Sequence, residues 1–451
     1  MLFMKNRINK FIVKSEKKIR DAMRVIKKNA SGIAFVEKNK KIIGSITDGD
    51  IRKHLLNNGL IDDKVDSCMN KNFKFIKNSN DRESILKLFD QGIKYIPLID
   101  ENFFLIEVID KTNSIIDKKS IIRSRCPARI SLGGGGTDLT NFFFENEGSG
   151  ISFAIEKYCY VTLEKRVDKK IIINSNSFNK TLEYKNINFI KYDGNLDLIK
   201  APIKLLKPDY GFSITIETDF PPMSGLGGSA AIISSIIGVL NYFQERKLTQ
   251  YEIAELAFEC ERIELKILGG WQDQYSTVFG GCNFIEFRKQ DNLVHNLILP
   301  DNTFNELELR LVICDTGNSH KGKKIHSKNI VNNKLINFGH QIKKIVDDIK
   351  LDLLKGKLNN IGSYIQKTWN LKKEMNILTT NKKINFIEKE LLGERLASGC
   401  RLLGSGGGGY LLFYVKPENR FNFIKTINIL KIPYFNVRFD HQGLKVWEIE
   451  R

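Results

Sequence analysis

The sequence is poor in the residues that build disulfide frameworks and metal clusters. It has 7 cysteines and 6 histidines among 451 residues. The cysteines are scattered, odd in number and without a close pair, which favours free thiols and supplies no zinc-ligand spacing. None of the histidines belongs to a cluster with Asp or Glu. These absences exclude disulfide-stabilised secreted domains and zinc enzymes.

Long apolar runs are also missing. The longest near-apolar stretch is Ala230–Leu240, well short of the roughly 20 residues that a membrane span needs. The basic segment at residues 1–13 has no apolar core and no small-residue cleavage site, unlike a signal peptide. We therefore expect a cytoplasmic protein without a membrane partner.

Positive charge is abundant but diffuse. Of the net +19, residues 1–120 carry +9 and the remaining 331 residues carry +10. The sequence has no long basic block and no alternation of basic and aromatic residues of the kind that stacks on bases. Nucleic acid is therefore not an expected partner, whereas a mildly positive surface favours anionic small molecules.

The chain is long enough to require several domains. Residues 15–110 contain two similar units, each with a helix, a strand, a turn and a second strand. Residues 111–119 are polar and typical of a linker. From Ile121 onward the chain has longer strands and three glycine clusters, and a buried-type strand begins at Leu309. We predict domains at residues 1–118, 119–305 and 306–451.

The repeat resembles a pair of cystathionine-β-synthase-type (CBS) modules, through Gly44-x-x-Thr47-x-x-Asp50 in the first unit. The resemblance implies an α/β domain in which Thr47 and Asp50 contact the ribose and phosphate of a regulatory nucleotide. The second unit lacks the Thr/Ser before its Asp110. The alternative is a structural element through which two copies form a homodimer.

The most informative motif is the glycine-rich loop Pro221–Ala231. An alternating strand precedes it at residues 212–217, and a run of small and apolar residues follows at 230–243. Glycines let the backbone approach a ligand, and the first turn of a helix offers free N–H groups and a positive dipole end. The pattern predicts a phosphate cradle, with the Ser229 hydroxyl placed to bind a metal on the phosphates.

Two further glycine clusters flank this loop in the chain. Gly133–Gly136 follow an apolar strand and lead into Thr137 and Asp138, and Gly404–Gly409 precede another strand. Gly225-x-Gly227-x-x-Ala230 also satisfies the dinucleotide fingerprint, but no second strand ending in an acid follows about 20 residues later. A dehydrogenase is therefore disfavoured.

Two acids lie between the second and third clusters. A capping box at Thr249 and Glu252 predicts the start of a helix that contains Glu261, and Asp273 follows twelve residues later. Taken alone, Glu261 is typical of a solvated surface charge and Asp273 of a turn residue. The predicted apolar stripe of the helix consists of Ile253, Ala257, Cys260, Ile263 and Ile267.

The three clusters, in this order, resemble the galactokinase–homoserine kinase–mevalonate kinase–phosphomevalonate kinase (GHMP) superfamily over residues 121–451. The resemblance implies an α+β, two-domain kinase fold beside the N-terminal CBS-type domain. Gly-Gly-Gly-Thr-Asp-Leu at 134–139 and Gly-Gly-Trp-Gln-Asp-Gln at 269–274 resemble the branch that phosphorylates sugars at the anomeric carbon, which includes heptose 7-phosphate kinases and fucokinases.

The resemblance also assigns roles, position by position. Asp273 corresponds to the acid that orients or deprotonates the sugar hydroxyl, and Arg129 to the cation across the transferring phosphoryl group. Mg²⁺ would be held by Ser229 and Glu261. ATP would be bound by Ser224, Gly225, Leu226, Gly227, Gly228, Ser229 and Ala230. The sugar would be bound by Gly135, Gly136, Thr137, Asp138 and Gly407.

The expected function is ATP-dependent phosphorylation of heptose 7-phosphate to heptose 1,7-bisphosphate. Two alternatives stay open: a kinase for free fucose or another unphosphorylated sugar, and a catalytically silent nucleotide-binding regulator. Retention of Ser229, Glu261 and Asp273 argues against the silent regulator. The run that contains His320, Lys321, Lys323, Lys324 and His326 is a candidate for holding a distal phosphate.

Overall fold

The computed structural model describes residues 8–77, 82–110, 121–166, 168–317 and 333–449. These residues form two units, 8–110 and 121–449. The predicted boundary at residues 118 and 119 lies outside the described residues. This boundary and the one at 305 stay predictions. All seven cysteines are free thiols, and all but Cys68 are buried. In the described ranges, no helix combines the length and the hydropathy required to cross a membrane.

The first unit repeats a helix–strand–strand order, as predicted. Its described strands are β1 (Ile12–Lys14), β2 (Ile33–Lys38), β3 (Lys41–Thr47), β4 (Tyr95–Ile99) and β5 (Leu105–Asp110). Its described α-helices are α1 (Ile19–Asn29), α2 (Asp48–Leu56) and α3 (Arg82–Asp90). β1 pairs in parallel with β2, β2 pairs antiparallel with β3, and β4 and β5 form a separate antiparallel pair.

The second unit is built on two sheets. Seven strands of the larger sheet come from the first part of the unit: β6 (Ile121–Gly133), β7 (Gly148–Arg166), β8 (Ile171–Ser175), β9 (Lys180–Tyr184), β10 (Gly211–Thr218), β11 (Cys282–Phe287) and β12 (Leu293–Asn296). The smaller sheet is antiparallel and has the strands β13 (Leu311–Asp315), β14 (Gly399–Leu402), β15 (Tyr410–Tyr414) and β16 (Tyr434–Asn436).

The α-helices of this unit cover both sheets. They are α4 (Thr140–Asn146), α5 (Asp197–Leu206), α6 (Gly228–Asn241), α7 (Gln250–Phe258), α8 (Gln272–Phe279), α9 (Asp301–Arg310), α10 (Asn333–Leu354), α11 (Ile361–Met375), α12 (Lys382–Gly393) and α13 (Arg420–Ile429). α6 packs on β6 and β7, and every residue from Ala230 to Asn241 is buried. This burial explains why its sequence is almost wholly apolar.

The long strand β7 organises the larger sheet. It pairs with β6 along most of its length, with β11 through Gly148–Phe153 and with β10 through Cys159–Arg166. The eighth strand, β17 (Lys445–Ile449), pairs with β6 although it comes from the end of the chain. The mixture of sheets and helices confirms the predicted α+β class. The strand predicted from Leu309 begins two residues later, because α9 continues to Arg310.

Candidate active site

The loop between β10 and α6 has the geometry of an anion cradle. It turns at Gly225 and Gly227, whose φ angles are +82° and +72°. α6 then begins at Gly228 without a side chain capping its first N–H groups. The hydroxyl of Ser224 is buried and has no hydrogen-bond partner within the described ranges. Free N–H donors, a positive helix end and an unpaired hydroxyl are groups that suit phosphate oxygens.

The third glycine cluster packs directly on this loop. A Cβ added at Gly225 would lie 2.5 Å from the carbonyl oxygen of Leu403, and one added at Gly409 would lie 2.5 Å from that of Ser224. The two loops therefore touch through their main chains, and any side chain at these glycines would force them apart. The main-chain contacts with the third glycine cluster therefore help to hold the cradle in its shape.

Arg129 and Asp273 form an ion pair beside the cradle. Arg129 Nε and Nη2 donate to Asp273 Oδ1 at 2.9 and 2.7 Å, and Arg129 Nη1 donates to the carbonyl oxygen of Gly225 at 2.6 Å. Arg129 is 4% exposed. Within the described ranges, Asp273 Oδ2 receives no hydrogen bond, so one carboxylate oxygen holds the arginine and the other is available to a substrate hydroxyl.

Ser229 and Glu261 meet on the other side of the cradle. The Ser229 hydroxyl donates to Glu261 Oε1 at 2.6 Å, and Gln274 Nε2 donates to Glu261 Oε2 at 2.8 Å. Gln274 Oε1 is buried and has no partner in the described structure. A carboxylate and a hydroxyl are the hard oxygen ligands that Mg²⁺ prefers, and Mg²⁺ completes its octahedron with phosphate and water oxygens. The donor set therefore fits this metal.

The interpretation of Glu261 as a solvated charge is wrong, because the helix changes its pitch. Residues Glu259–Glu264 continue α7 as a π-helix, in which Leu265 N–H donates to the carbonyl oxygen of Cys260. The extra residue per turn rotates Glu261 inward, where it is 3% exposed, and Ile263 outward, where it is 62% exposed. The predicted apolar stripe is therefore wrong at Ile263 and at Ile267, which is 39% exposed.

The first glycine cluster shapes a second wall of the cleft. Gly134 and Gly136 adopt φ angles of +100° and +99°. The Gly136 N–H donates to Asp138 Oδ1 at 2.9 Å. Burial raises the pKa of the Asp138 carboxyl, and the nearby charge of Asp273 adds to this effect. Asp138 Oδ2 also accepts from the N–H of Gln272 at 3.4 Å, so the two carboxylates lie close together.

Two predicted sugar-binding residues have their polar groups engaged within the fold. Thr137 is fully buried, and its hydroxyl bonds to the carbonyl oxygens of Gly134 and Ser149. The N–H of Gly407 donates to the carbonyl oxygen of Thr379. The sugar-binding roles of Thr137 and Gly407 stay predictions, while their visible contacts hold the two glycine loops in place.

Two basic residues of the site were missed in the sequence. Arg401, on β14, is 6% exposed, and its Nε and Nη1 have no hydrogen-bond partner in the part of the chain that the structure describes. Lys372, on α11, contacts the carbonyl oxygen of Gly404 through Nζ. Arg401 stands three residues before the third cluster, but Lys372 lies in a helix without any motif.

Outside this cleft, Thr47 and Asp50 form a capping box at the start of α2. Asp50 Oδ2 accepts from the Thr47 hydroxyl at 2.7 Å and from the Thr47 N–H at 2.8 Å. Their regulatory role stays a prediction. The run from His320 to His326, predicted to hold a distal phosphate, lies outside the described residues.

Comparison with known proteins identifies the family. The family model described as the GHMP kinases N terminal domain matches residues 197–281, and the CBS domain model matches residues 6–57. A D-glycero-alpha-D-manno-heptose 7-phosphate kinase of Campylobacter jejuni is 33% identical over 337 residues, which are 73% of this chain and 99% of that protein. The chain belongs to the GHMP kinase family. It is an ATP-dependent sugar kinase with a CBS domain at its N-terminus.

Two further relatives agree with this membership. The crystal structure of a D-glycero-D-manno-heptose 1-phosphate kinase from Bacteroides thetaiotaomicron matches with a TM-score of 0.62 and 27% identity, over 73% of this chain and all of that one. The L-fucokinase/L-fucose-1-P guanylyltransferase of Bacteroides fragilis is 26% identical over 71% of this chain, which corresponds to 37% of that longer protein. The GHMP fold therefore accounts for the second unit.

Proposed function

We propose that this GHMP kinase phosphorylates D-glycero-D-manno-heptose 7-phosphate at its anomeric hydroxyl and so forms heptose 1,7-bisphosphate. The observation that carries the proposal is the Arg129–Asp273 pair, which is anchored to the carbonyl oxygen of Gly225 in the phosphate cradle. A carboxylate oxygen therefore faces the cleft next to a cation and the cradle. The name of the Campylobacter jejuni relative, a heptose 7-phosphate kinase, supports this substrate, and the name of the Bacteroides thetaiotaomicron structure, a heptose 1-phosphate kinase, supports only the class of heptose phosphates.

We assign the ATP triphosphate to the cradle of residues 224–230 and Mg²⁺ to Ser229 and Glu261. When bound, the metal supplies positive charge that neutralises the phosphate oxygens. The buried, unpaired hydroxyl of Ser224 and the uncapped start of α6 are suited to this anion. The unpaired Gln274 Oε1 is suited to accept a hydrogen bond from a water on the metal.

In the proposed mechanism, the residues of the chain position and polarise the reactants. Asp273 Oδ2 accepts the hydrogen bond of the anomeric hydroxyl and takes its proton as the sugar oxygen bonds to the γ-phosphorus and the bond from that phosphorus to the leaving ADP breaks. Arg129 holds Asp273 in orientation through Oδ1 and keeps a positive charge beside the oxygens of the transferring group. Asp138, whose pKa is raised by burial, binds a hydroxyl of the sugar ring.

The proposal is tested by coupled ADP release across a panel of sugars. Heptose 7-phosphate should give the largest kcat/KM, ahead of the same heptose without phosphate, fucose, galactose and mevalonate. If a free sugar is the best substrate, the proposal is wrong and the protein is a kinase for an unphosphorylated sugar. Absence of ADP release with every member of the panel would contradict heptose 7-phosphate as the substrate.

Replacing Glu261 by Gln should weaken the use of Mg²⁺. The variant keeps the shape of the side chain but removes the charge that attracts the metal, so kcat should fall roughly 100-fold or more and half-maximal activity should need more Mg²⁺. A titration of Mg²⁺ at saturating ATP measures both. The control is Glu259→Gln, an exposed residue of the same π-helix. Equal Mg²⁺ requirements in the two variants would contradict the metal assignment.

We also propose that the N-terminal unit binds a nucleotide through Thr47 and Asp50 and thereby regulates the kinase. The unit matches the CBS domain over residues 6–57. Any regulator must bind the active and inactive states of the full chain unequally. Both side chains also cap α2, so their loss affects stability as well as binding.

A fragment that begins at residue 119 should keep phosphoryl transfer and lose any response to nucleotides. Asp50→Asn retains an oxygen that can cap α2 but lacks the carboxylate that accepts from ribose hydroxyls. It should leave basal kcat unchanged and weaken the nucleotide response roughly tenfold. Activity with and without adenine nucleotides or a nucleotide-linked heptose measures this, and melting temperature serves as the stability control. If the nucleotide still shifts the activity of the fragment, the regulatory site lies elsewhere.

A further inference from the structure

Arg401 is a buried cation near the site with nitrogens that lack hydrogen-bond partners among the described residues. Its guanidinium is buried, and two of its nitrogens, Nε and Nη1, have no hydrogen-bond partner among the described residues. A buried charge without partners costs free energy. Burial lowers the pKa of Arg401 to about 10, and the charge of Arg129 adds to this effect. An anion would supply the missing hydrogen bonds.

Lys372 is a second cation in the same place. Its Nζ contacts the carbonyl oxygen of Gly404, and the side chain is partly buried. Burial lowers its pKa to about 7, with further lowering by Arg401 and Arg129 and opposition from Asp138 and Asp273. These four residues are the charges that act on Lys372. The contact with Gly404, three residues after Arg401, places the lysine at the third glycine cluster.

The position of Arg401 points to the substrate side of the cleft. Its Nη2 lies 4.0 Å from the place of an added Cβ at Gly135, on the loop that leads to Asp138. The triphosphate is assigned to a different loop, residues 224–230. Arg401 thus lies beside the main chain of Gly135, on the wall that the sugar is predicted to contact, and Lys372 lies at the glycine cluster that follows Arg401 in the chain.

We propose that Arg401 and Lys372 form a subsite for the phosphate group that the sugar substrate already carries. Guanidinium and ammonium groups make charge-assisted hydrogen bonds to phosphate oxygens, and these are stronger than neutral ones. The inference rests on the proposed function and deepens it, because it names the residues that distinguish a sugar phosphate from a neutral sugar. The two cations select the anionic substrate through its distal phosphate.

The first test compares substrates with and without the phosphate. In Arg401→Gln, KM for heptose 7-phosphate should rise roughly 10- to 100-fold, the size expected for lost hydrogen bonds between charged groups. KM for the same heptose without phosphate and KM for ATP should stay within about twofold, because neither ligand is expected to form a hydrogen bond with Arg401. Lys372→Gln should show the same pattern. Arg395→Gln, which removes an exposed cation in the turn before β14, is the control.

Other results would overturn the inference. If Arg401→Gln raised KM for ATP and left the preference for the phosphorylated sugar intact, the arginine would act on the triphosphate. Arg401→Lys provides a second variant that keeps the charge in case the glutamine variant does not fold. Its KM for heptose 7-phosphate should lie between those of the wild type and of Arg401→Gln, because an ammonium lacks the planar donor set of a guanidinium.

Direct binding separates this inference from the proposed function. Calorimetry with heptose 7-phosphate on the full chain, without ATP, measures the subsite independently of turnover. Binding that depends on Arg401 but is followed by no ADP release would support the subsite and defeat the proposed function. Turnover of heptose 7-phosphate with unchanged preference in the variants would support the function and defeat the subsite.

The pH dependence of binding provides a further readout. In the free site Lys372 has a pKa of about 7, so its charge is lost as the pH rises through neutrality. A bound anion favours the protonated form, so affinity for the sugar phosphate should fall above pH 7, by up to about tenfold per pH unit. Lys372→Arg should remove this fall, because arginine stays protonated. An identical pH profile in both proteins would count against Lys372 as a phosphate ligand.

Discussion

Replacing Asp273 by Asn should lower kcat by roughly 100-fold or more, the usual contribution of a positioned general base. The amide keeps the size of the side chain but cannot take the proton of the anomeric hydroxyl. KM for ATP should barely change, because the triphosphate is assigned to the loop at residues 224–230. Steady-state kinetics with each substrate varied in turn measures the two parameters separately.

The variant also leaves Arg129 without its partner, so a second readout is needed. If Asp273 acts as the base, an added small carboxylate such as formate should restore part of the activity of Asp273→Asn. A merely structural role would lower kcat without any recovery from the added base. Asp291→Asn, which alters an exposed carboxylate, is the matched control. Normal turnover in Asp273→Asn would contradict the assignment of the base.

Replacing Arg129 by Met should lower kcat by a comparable or larger factor, and it should also raise KM for ATP. A cation beside the transferring group contributes roughly 1,000-fold or more to kcat in phosphoryl transfer. Arg129 also donates to the carbonyl oxygen of Gly225, so its loss should loosen the cradle and raise KM for ATP. The two variants therefore differ in their split between kcat and KM.

The matched control for this prediction is Arg123→Met. Arg123 lies on the same strand, β6, but is exposed to solvent. This change should leave kcat and KM for ATP close to those of the wild type. If Arg129→Met lowered kcat without affecting KM for ATP, the contact with Gly225 would have no part in ATP binding.

Features that depend on a few neighbouring residues were predictable from the sequence. The capping box at Thr249 and Glu252 is present and starts α7. The strand, loop and helix around Gly225 also have the predicted order, as β10 and α6 show. In both cases the signal is local, because capping residues and glycines act on the backbone within one or two turns.

Features that depend on helix pitch or on distant packing were not predictable in this way. A periodicity of 3.6 residues cannot anticipate the π-helix that turns Glu261 inward, since nothing in the pattern marks the extra residue. Lys372 and Arg401 are 29 positions apart on a helix and a strand. Only the tertiary fold brings them to one cleft with Asp138 and Asp273.

The pairing of β17 with β6 sets a constraint on how the chain can be made. Strand β6 begins at Ile121, and its edge partner ends at Ile449. At a synthesis rate of about 5–20 residues per second, β17 is made roughly 15–65 seconds after β6. α6 depends on the same end of the chain, since Gly238 packs against Leu444 and Val446. The helix that begins at the phosphate cradle therefore gains its final packing only after residues 444–446 have been made.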